Sequence, residues 1–197
     1  MIIDHCDKTI SLKIVYFGPA LSGKTTSIKA LFSEFGKSET LHSVENTVRR
    51  TLFFDYGTVT FQKEEWKLKI HIYTTTGQDF YLITRPITLR AVDGIIFVND
   101  SQQDVYDRNL SSWNELRSYF NESIEDLPII IAFNKQDLPD KFNSIQFLKE
   151  VRIHNFKNID SRYTIAITGE GILECFEDIL KLVLKKYSDF KSISVTN

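Results

Sequence analysis

The 197-residue sequence predicts a three-layer α/β fold: a mixed, six-stranded, mainly parallel sheet with one antiparallel hairpin strand, and helices on both faces. Three observations carry this expectation. Apolar, β-branched runs of strand length alternate with stretches whose apolar residues recur every three or four positions. Two strand-like segments are separated only by Lys63, Glu64 and Glu65, a spacing that makes them an antiparallel hairpin. The chain is 42% apolar and 13% aromatic, enough to bury one sizeable core, and it is short for two.

The first strand is Ile10 to Phe17, closed by Gly18. A helix follows, because Ile28, Leu31, Phe32 and Phe35 form one stripe at i, i+3, i+4 and i+7 and Gly36 is placed to end it. Polar residues from Lys37 to Arg50 make a long exposed connection, and such loops are usually functional or mobile. Thr51 to Gln62 is strand-like, and from Trp66 the alternation of Trp66, Leu68, Ile70 and Ile72 with Lys67, Lys69, His71 and Tyr73 has the period of a strand. Strand Gly94 to Asn99, helix Asp104 to about Asn121, strand Pro128 to Phe133, helix Ser144 to Arg152, strand Tyr163 to Ile167 and helix Ile172 to Tyr187 complete the order. Alternating strands and helices imply right-handed crossovers, and ligands of such sheets sit in the loops at the carboxyl ends of the strands.

Composition excludes several function classes. A formal charge of -2 and a pI near 6.1 do not suit sequence-independent nucleic-acid binding, which needs a cationic face. Cys6 and Cys175 are far apart and the four histidines are scattered, so neither a disulfide framework nor a thiolate metal site is implied, and a reduced, cytoplasmic protein is expected. The longest apolar runs are strand-sized, which predicts no integral membrane segment. Asp4 and Asp7 interrupt the amino terminus as a secretory signal would not, and neither Ile2 nor the terminal Thr196-Asn197 offers a lipidation motif.

The loop after the first strand reads Gly18-Pro19-Ala20-Leu21-Ser22-Gly23-Lys24-Thr25, which fits G-x-x-x-x-G-K-[ST] between a strand and a helix. Its glycines let successive amides point at phosphate oxygens, and the helix amino terminus adds its positive dipole end. Lys24 can reach the β- and γ-phosphates, and the Thr25 hydroxyl is placed to ligate Mg²⁺. The bland alternative is a glycine-bearing turn that caps a helix. After the strand Pro128 to Phe133 stands Asn134-Lys135-Gln136-Asp137. Guanine offers two adjacent N–H donors that one carboxylate, Asp137, accepts together, whereas adenine leaves that carboxylate unpaired. Sites built on such bonds reject the wrong partner by roughly 10⁴ or more. Asn134 would brace the loop and the Lys135 stem would cover the flat face of the base. Taken alone, this tetrapeptide also fits an ordinary polar turn.

With a threonine-bearing loop and the Gly77-Gln78 pair after the third strand, these motifs resemble the Ras-like small GTPases. RRTLFFDY (Arg49 to Tyr56) and YTTTGQDFY (Tyr73 to Tyr81) resemble the prokaryotic, MglA-type branch, and NKQDLP also resembles the Arf branch. The resemblance runs from about residue 10 to about residue 187 with its four motifs in family order. It implies the three-layer P-loop GTPase fold, a single domain over 1–197 with short terminal extensions, and a switch that binds GTP or GDP with Mg²⁺ and hydrolyses GTP. It further implies that Thr51 closes over Mg²⁺ and γ-phosphate only in the triphosphate state, that Gly77 donates its amide to the γ-phosphate, and that Gln78 orients the attacking water. Ala166 matches the alanine whose amide contacts the guanine oxygen, though an alanine near a strand end also fits simple packing. Arg50 matches an arginine supplied from the same chain to the transition state, a contribution worth roughly 10³ to 10⁵ in rate. A solvated basic pair with Arg49 is the competing view. A Roadblock-type activating protein and effectors in cell polarity, motility or trafficking are the implied partners.

The candidate nucleotide-binding residues are thus Gly18, Ala20, Leu21, Ser22, Gly23, Lys24, Thr25, Thr26, Gly77, Asn134, Lys135, Asp137 and Ala166. The catalytic candidates are Gln78, Arg50, Lys24 and Thr51, and the metal candidates Thr25 and Thr51. Two positions depart from the Ras pattern. Thr74 stands where most Ras-like proteins carry aspartate, whereas the MglA-type branch also has threonine; Asp55 on the adjacent strand is a candidate substitute for that charge, the alternative being a solvent-facing strand residue. Ala20 replaces a glycine near where Gln78 and an arginine must meet the γ-phosphate, which points to slow intrinsic hydrolysis. These departures support a rival reading, a GTP-binding interaction module with little or no turnover. An ATP-using kinase has no use for NKQD.

Overall fold

The computed structural model describes residues 1–36, 42–45, 51–75 and 84–194, with only the backbone described at 42–45, 51–55, 84 and 189–194. Among the described residues eight strands form one sheet: β1 (Ile2–Asp4), β2 (Thr9–Phe17), β3 (His42–Glu45), β4 (Thr51–Lys63), β5 (Trp66–Thr74), β6 (Gly94–Asp100), β7 (Ile129–Asn134) and β8 (Ile159–Tyr163). The α-helices described with them are α1 (Lys24–Glu34), α2 (Thr84–Leu89), α3 (Tyr106–Phe120), α4 (Ser144–Glu150) and α5 (Ile172–Ser194). The strand order is β3-β4-β5-β2-β6-β7-β8. β1 pairs with β2 over Thr9 to Ser11, on the stretch before β6 joins at Ile14.

The six expected strands are present, with two short additions, β1 and β3, the latter inside the connection read as a polar loop. β1 and β3 each add an antiparallel pairing to the hairpin of β4 and β5, while β2 pairs in parallel with β5 and β6, β6 with β7, and β7 with β8. The last strand is displaced by four residues: β8 covers Ile159–Tyr163 rather than Tyr163 to Ile167. The cause lies in its position at the sheet edge, where Ile159 pairs with Ile129 and the strand has no need of an apolar alternation. The apolar TIAI that follows belongs to a loop, held by the Ile165 amide on the Glu170 carbonyl at 2.9 Å, with Ile167 81% exposed. The helix expected from Asp104 opens instead as a 3-10 turn at Gln103–Val105. α2 was carried by too short an apolar pattern to be anticipated.

Period-2 alternation divides β2 between two cores. Leu12, Ile14 and Tyr16 face a cluster closed by α1 and α5 through Ile28, Phe32, Phe176 and Ile179. Val15 and Phe17 face the other, closed by Leu89, Trp113, Leu116 and Phe147 of α2, α3 and α4. This sandwich fixes the carboxyl ends of β2, β6 and β7 side by side, and these ends carry the site. No helix among the described residues is long and apolar enough to cross a membrane.

Candidate functional site

Between Phe17 and α1 the chain folds over the carboxyl edge of the sheet. Gly18 adopts φ +144°, and a Cβ there would lie 2.3 Å from the Val98 carbonyl oxygen. Gly23 adopts φ +103°, and its Cβ would lie 2.2 Å from Asn134 Nδ2. Both glycines are therefore imposed by backbone sign and close approach, which no side chain tolerates. Ala20 is half-buried, Leu21 takes φ +65° with its side chain outward, and Ser22 is fully buried with a hydroxyl that has no hydrogen-bond partner. Lys24 is 93% enclosed, being 7% exposed, and its Nζ donates to the Gly18 and Pro19 carbonyls at 2.8 and 2.6 Å, so the ammonium lies across the loop. Thr25 and Thr26 follow on the first turn of α1, whose amino terminus carries no side-chain cap and no acidic residue. A buried cation, an orphaned hydroxyl and an uncapped helix terminus converging on one loop make an anion receptor.

The second loop is joined to the first by Asn134, which is 1% exposed at the end of β7. Its Nδ2 donates to the Ser22 carbonyl at 2.8 Å, while its Oδ1 accepts from the Ala166 amide at 2.9 Å and the Thr164 hydroxyl at 3.2 Å. One amide side chain therefore locks together the loops after β2, β7 and β8. The Ala166 amide, which the resemblance assigns to a base oxygen, is here committed to Asn134. Lys135 adopts φ +66° and pairs with Asp100, and Gln136 donates to the Ser101 hydroxyl at 2.8 Å and the Phe133 carbonyl at 3.2 Å. Asp137 is exposed, and its carboxylate has no protein partner among the described residues.

Thr74 ends β5 buried, in register with Tyr16, and the next amide, Thr75, donates to the Tyr16 carbonyl at 3.0 Å. Thr51 opens β4 and Asp55 pairs with Ser43 in backbone register, with their side chains outside the described atoms. Arg49, Arg50, Gly77 and Gln78 lie outside the described residues. Cys175 is buried near Tyr16, and burial pushes its thiol well above the ordinary value, so it is an inert core residue; Cys6 is exposed. Among the described residues no cluster of three or more His, Cys, Asp or Glu is arranged to hold a metal. Sequence reasoning passed over Asp100, Ser101 and Asn109, although the rule that directs attention to loops after strands applies equally to the loop after β6.

The fold and site define a phosphate-loop nucleotide-binding protein. A family model described as the ADP-ribosylation factor (Arf) family matches residues 2–183. The chain is 35% identical over 189 residues to the mutual gliding-motility protein MglA of Myxococcus xanthus, covering 92% of this chain and 95% of that protein. It is 30% identical over 195 residues to human ADP-ribosylation factor-like protein 4C, and 33% identical over 134 residues to the Ras-related protein Rab-5B of Plasmodium falciparum, the latter covering 66% of this chain and 59% of that protein. The chain belongs to the Arf/Ras-like small GTPase family. It is a guanine-nucleotide-binding hydrolase acting on GTP, with the α/β fold of that family.

Proposed function

We propose that this chain works as a single-domain, cytoplasmic molecular switch of the MglA-type branch, signalling in cell polarity, motility or trafficking. The observation that carries the reading is the Asn134 bridge, which builds the phosphate loop and the base loop into one receptor. The backbone N–H groups of Ala20 to Thr26 cradle the phosphates. Lys24 exchanges its two carbonyl contacts for the β- and γ-phosphates, which gives a desolvated ammonium a stronger, charged partner. Asp137 accepts both N–H donors of guanine, and the Lys135 stem lies along the base. A base oxygen competes with Asn134 for the Ala166 amide.

The donor set suits Mg²⁺, which keeps several waters and takes phosphate oxygens beside few protein ligands. Thr25 and Thr51 would hold it by their hydroxyls, and the ion would supply charge neutralisation between the β- and γ-phosphates. The Thr51 segment engages in the triphosphate state and is released after hydrolysis, so that β3 and β4 present a different edge to effectors. Gln78 orients the water, Gly77 donates to the γ-phosphate, and Arg50 neutralises transition-state charge. The motility assignment follows from likeness to a protein named for mutual gliding motility, and the implied partner is a Roadblock-type activating protein.

Single-turnover hydrolysis of prebound GTP, with and without a Roadblock-type dimer, tests this. Acceleration by the dimer, lost in Arg50→Ala at unchanged GTP affinity, is expected. Equal turnover in the variant returns Arg50 to a bracing role, and no phosphate release under either condition overturns the switch.

A further inference from the structure

Sequence motifs single out the loops after β2, β5, β7 and β8; the structure adds the loop after β6. We propose that Asp100 is a positioning residue for guanine-nucleotide binding, its carboxylate anchoring the Lys135 ammonium so that the lysine stem is held where the base rests. This rests on the placement of Lys135 in the base loop argued above.

Asp100 ends β6 with its side chain 7% exposed, and a carboxylate so enclosed must be paired. One oxygen pairs with Lys135 Nζ at 2.5 Å and the other accepts from the Gln102 amide at 3.2 Å. The aspartate itself is fixed in space by Asn109 of α3, which is fully buried and grips its backbone on both sides. The Asp100 amide donates to Asn109 Oδ1 at 3.1 Å and Asn109 Nδ2 donates to the Asp100 carbonyl at 2.8 Å. Asp100 is thus the immobile partner and Lys135 the one that is placed. Lysine is a flexible four-carbon stem that loses much rotamer freedom when ordered, and at 26% exposure Lys135 has solvent within reach. Its left-handed backbone, φ +66°, sets the direction of the side chain, and the ion pair sets its far end. A stem pinned at both ends is a preformed surface for one face of a purine, so its ordering cost falls on folding rather than on binding.

The test is the dissociation rate of fluorescently labelled GDP from the full chain in a double-mutant cycle. Asp100→Asn keeps the shape and the Gln102 contact but removes the charge. It is expected to release GDP about tenfold faster, and to add less than twofold in the Lys135→Met background, where no ammonium remains to be placed. Unchanged release in Asp100→Asn overturns the proposal, as does an equal acceleration in both backgrounds, which marks a merely structural effect. Should Asp100→Asn fail to fold, Lys135→Arg, which retains a charge for Asp100, is expected to hold GDP longer than Lys135→Met; equal rates overturn the proposal. A wild-type chain that holds no GDP removes the underlying reading as well, whereas normal binding with an indifferent Asp100 removes this inference alone.

Discussion

The Asn134 side chain donates to the Ser22 carbonyl at 2.8 Å across 112 residues of sequence, and this bond ties the loop after β2 to the loop after β7. Replacing Asn134 with alanine strands the Ser22 carbonyl, the Ala166 amide and the Thr164 hydroxyl, all in a buried setting. At about 1 kcal/mol for each of the Ser22 and Thr164 bonds, which nucleotide does not replace, calorimetry of Asn134→Ala is expected to show GDP affinity reduced about 30-fold, with a lower melting temperature in the nucleotide-free protein.

The same contact makes Gly23 irreplaceable. Gly23→Ala drives a Cβ to 2.2 Å from Asn134 Nδ2 at φ +103°, so it combines strain with a displaced bridge. Gly36, at φ +61° with nothing within 4 Å, is the control that carries strain alone. Chemical denaturation should show Gly36→Ala costing about 1 kcal/mol and Gly23→Ala more, with nucleotide binding lost only in the latter.

Ala20 sits half-buried in the phosphate loop, and on the roles proposed for Gln78 and Arg50 a smaller residue there would leave more room beside the γ-phosphate. Ala20→Gly is expected to raise the single-turnover rate of intrinsic GTP hydrolysis several-fold while leaving GDP affinity within about threefold, a difference under about 0.7 kcal/mol. An unchanged rate would show that the methyl group does not limit turnover.

His71, on β5, gives the fold a pH dependence. Burial first, then the nearby Lys69 and Lys13, lower its affinity for a proton, while its Nδ1 lies 3.1 Å from the Tyr56 hydroxyl. Its folded-state value lies below the unfolded one, so the unfolded chain binds more protons below about pH 6.5. The contribution to stability is therefore complete above that pH and lost as pH falls through the window beneath it. Denaturation at pH 7.5 and pH 5.5 should show a smaller loss on acidification for His71→Gln than for the wild type.

Much of this architecture was legible because it is encoded locally. The phosphate loop is one contiguous string between a strand and a helix, and the alternation of β5 appears in its burial, with Ile70 and Ile72 enclosed and Lys67 and Lys69 open. Long-range features were not legible. β8 reads Ile-Asp-Ser-Arg-Tyr and owes its place to pairing with β7, so the nearby apolar TIAI attracted the strand assignment instead. Asp100 and Asn109 carry no motif, and their relation to Lys135 exists only once β6, β7 and α3 are packed together. The Asn134 bridge lies between: its residue was visible in NKQD, but its commitment to Ser22 and Ala166 depends on three strand ends meeting.

The most direct measurement is calorimetric titration of nucleotide-stripped protein with GDP, ADP and XDP, for the wild type and Asp137→Asn. GDP alone should bind tightly to the wild type, and preference should move to the xanthine nucleotide in the variant, because donor and acceptor exchange places at that carboxylate. Equal heats from GDP and ADP, or guanine affinity untouched by Asp137→Asn, would contradict the account.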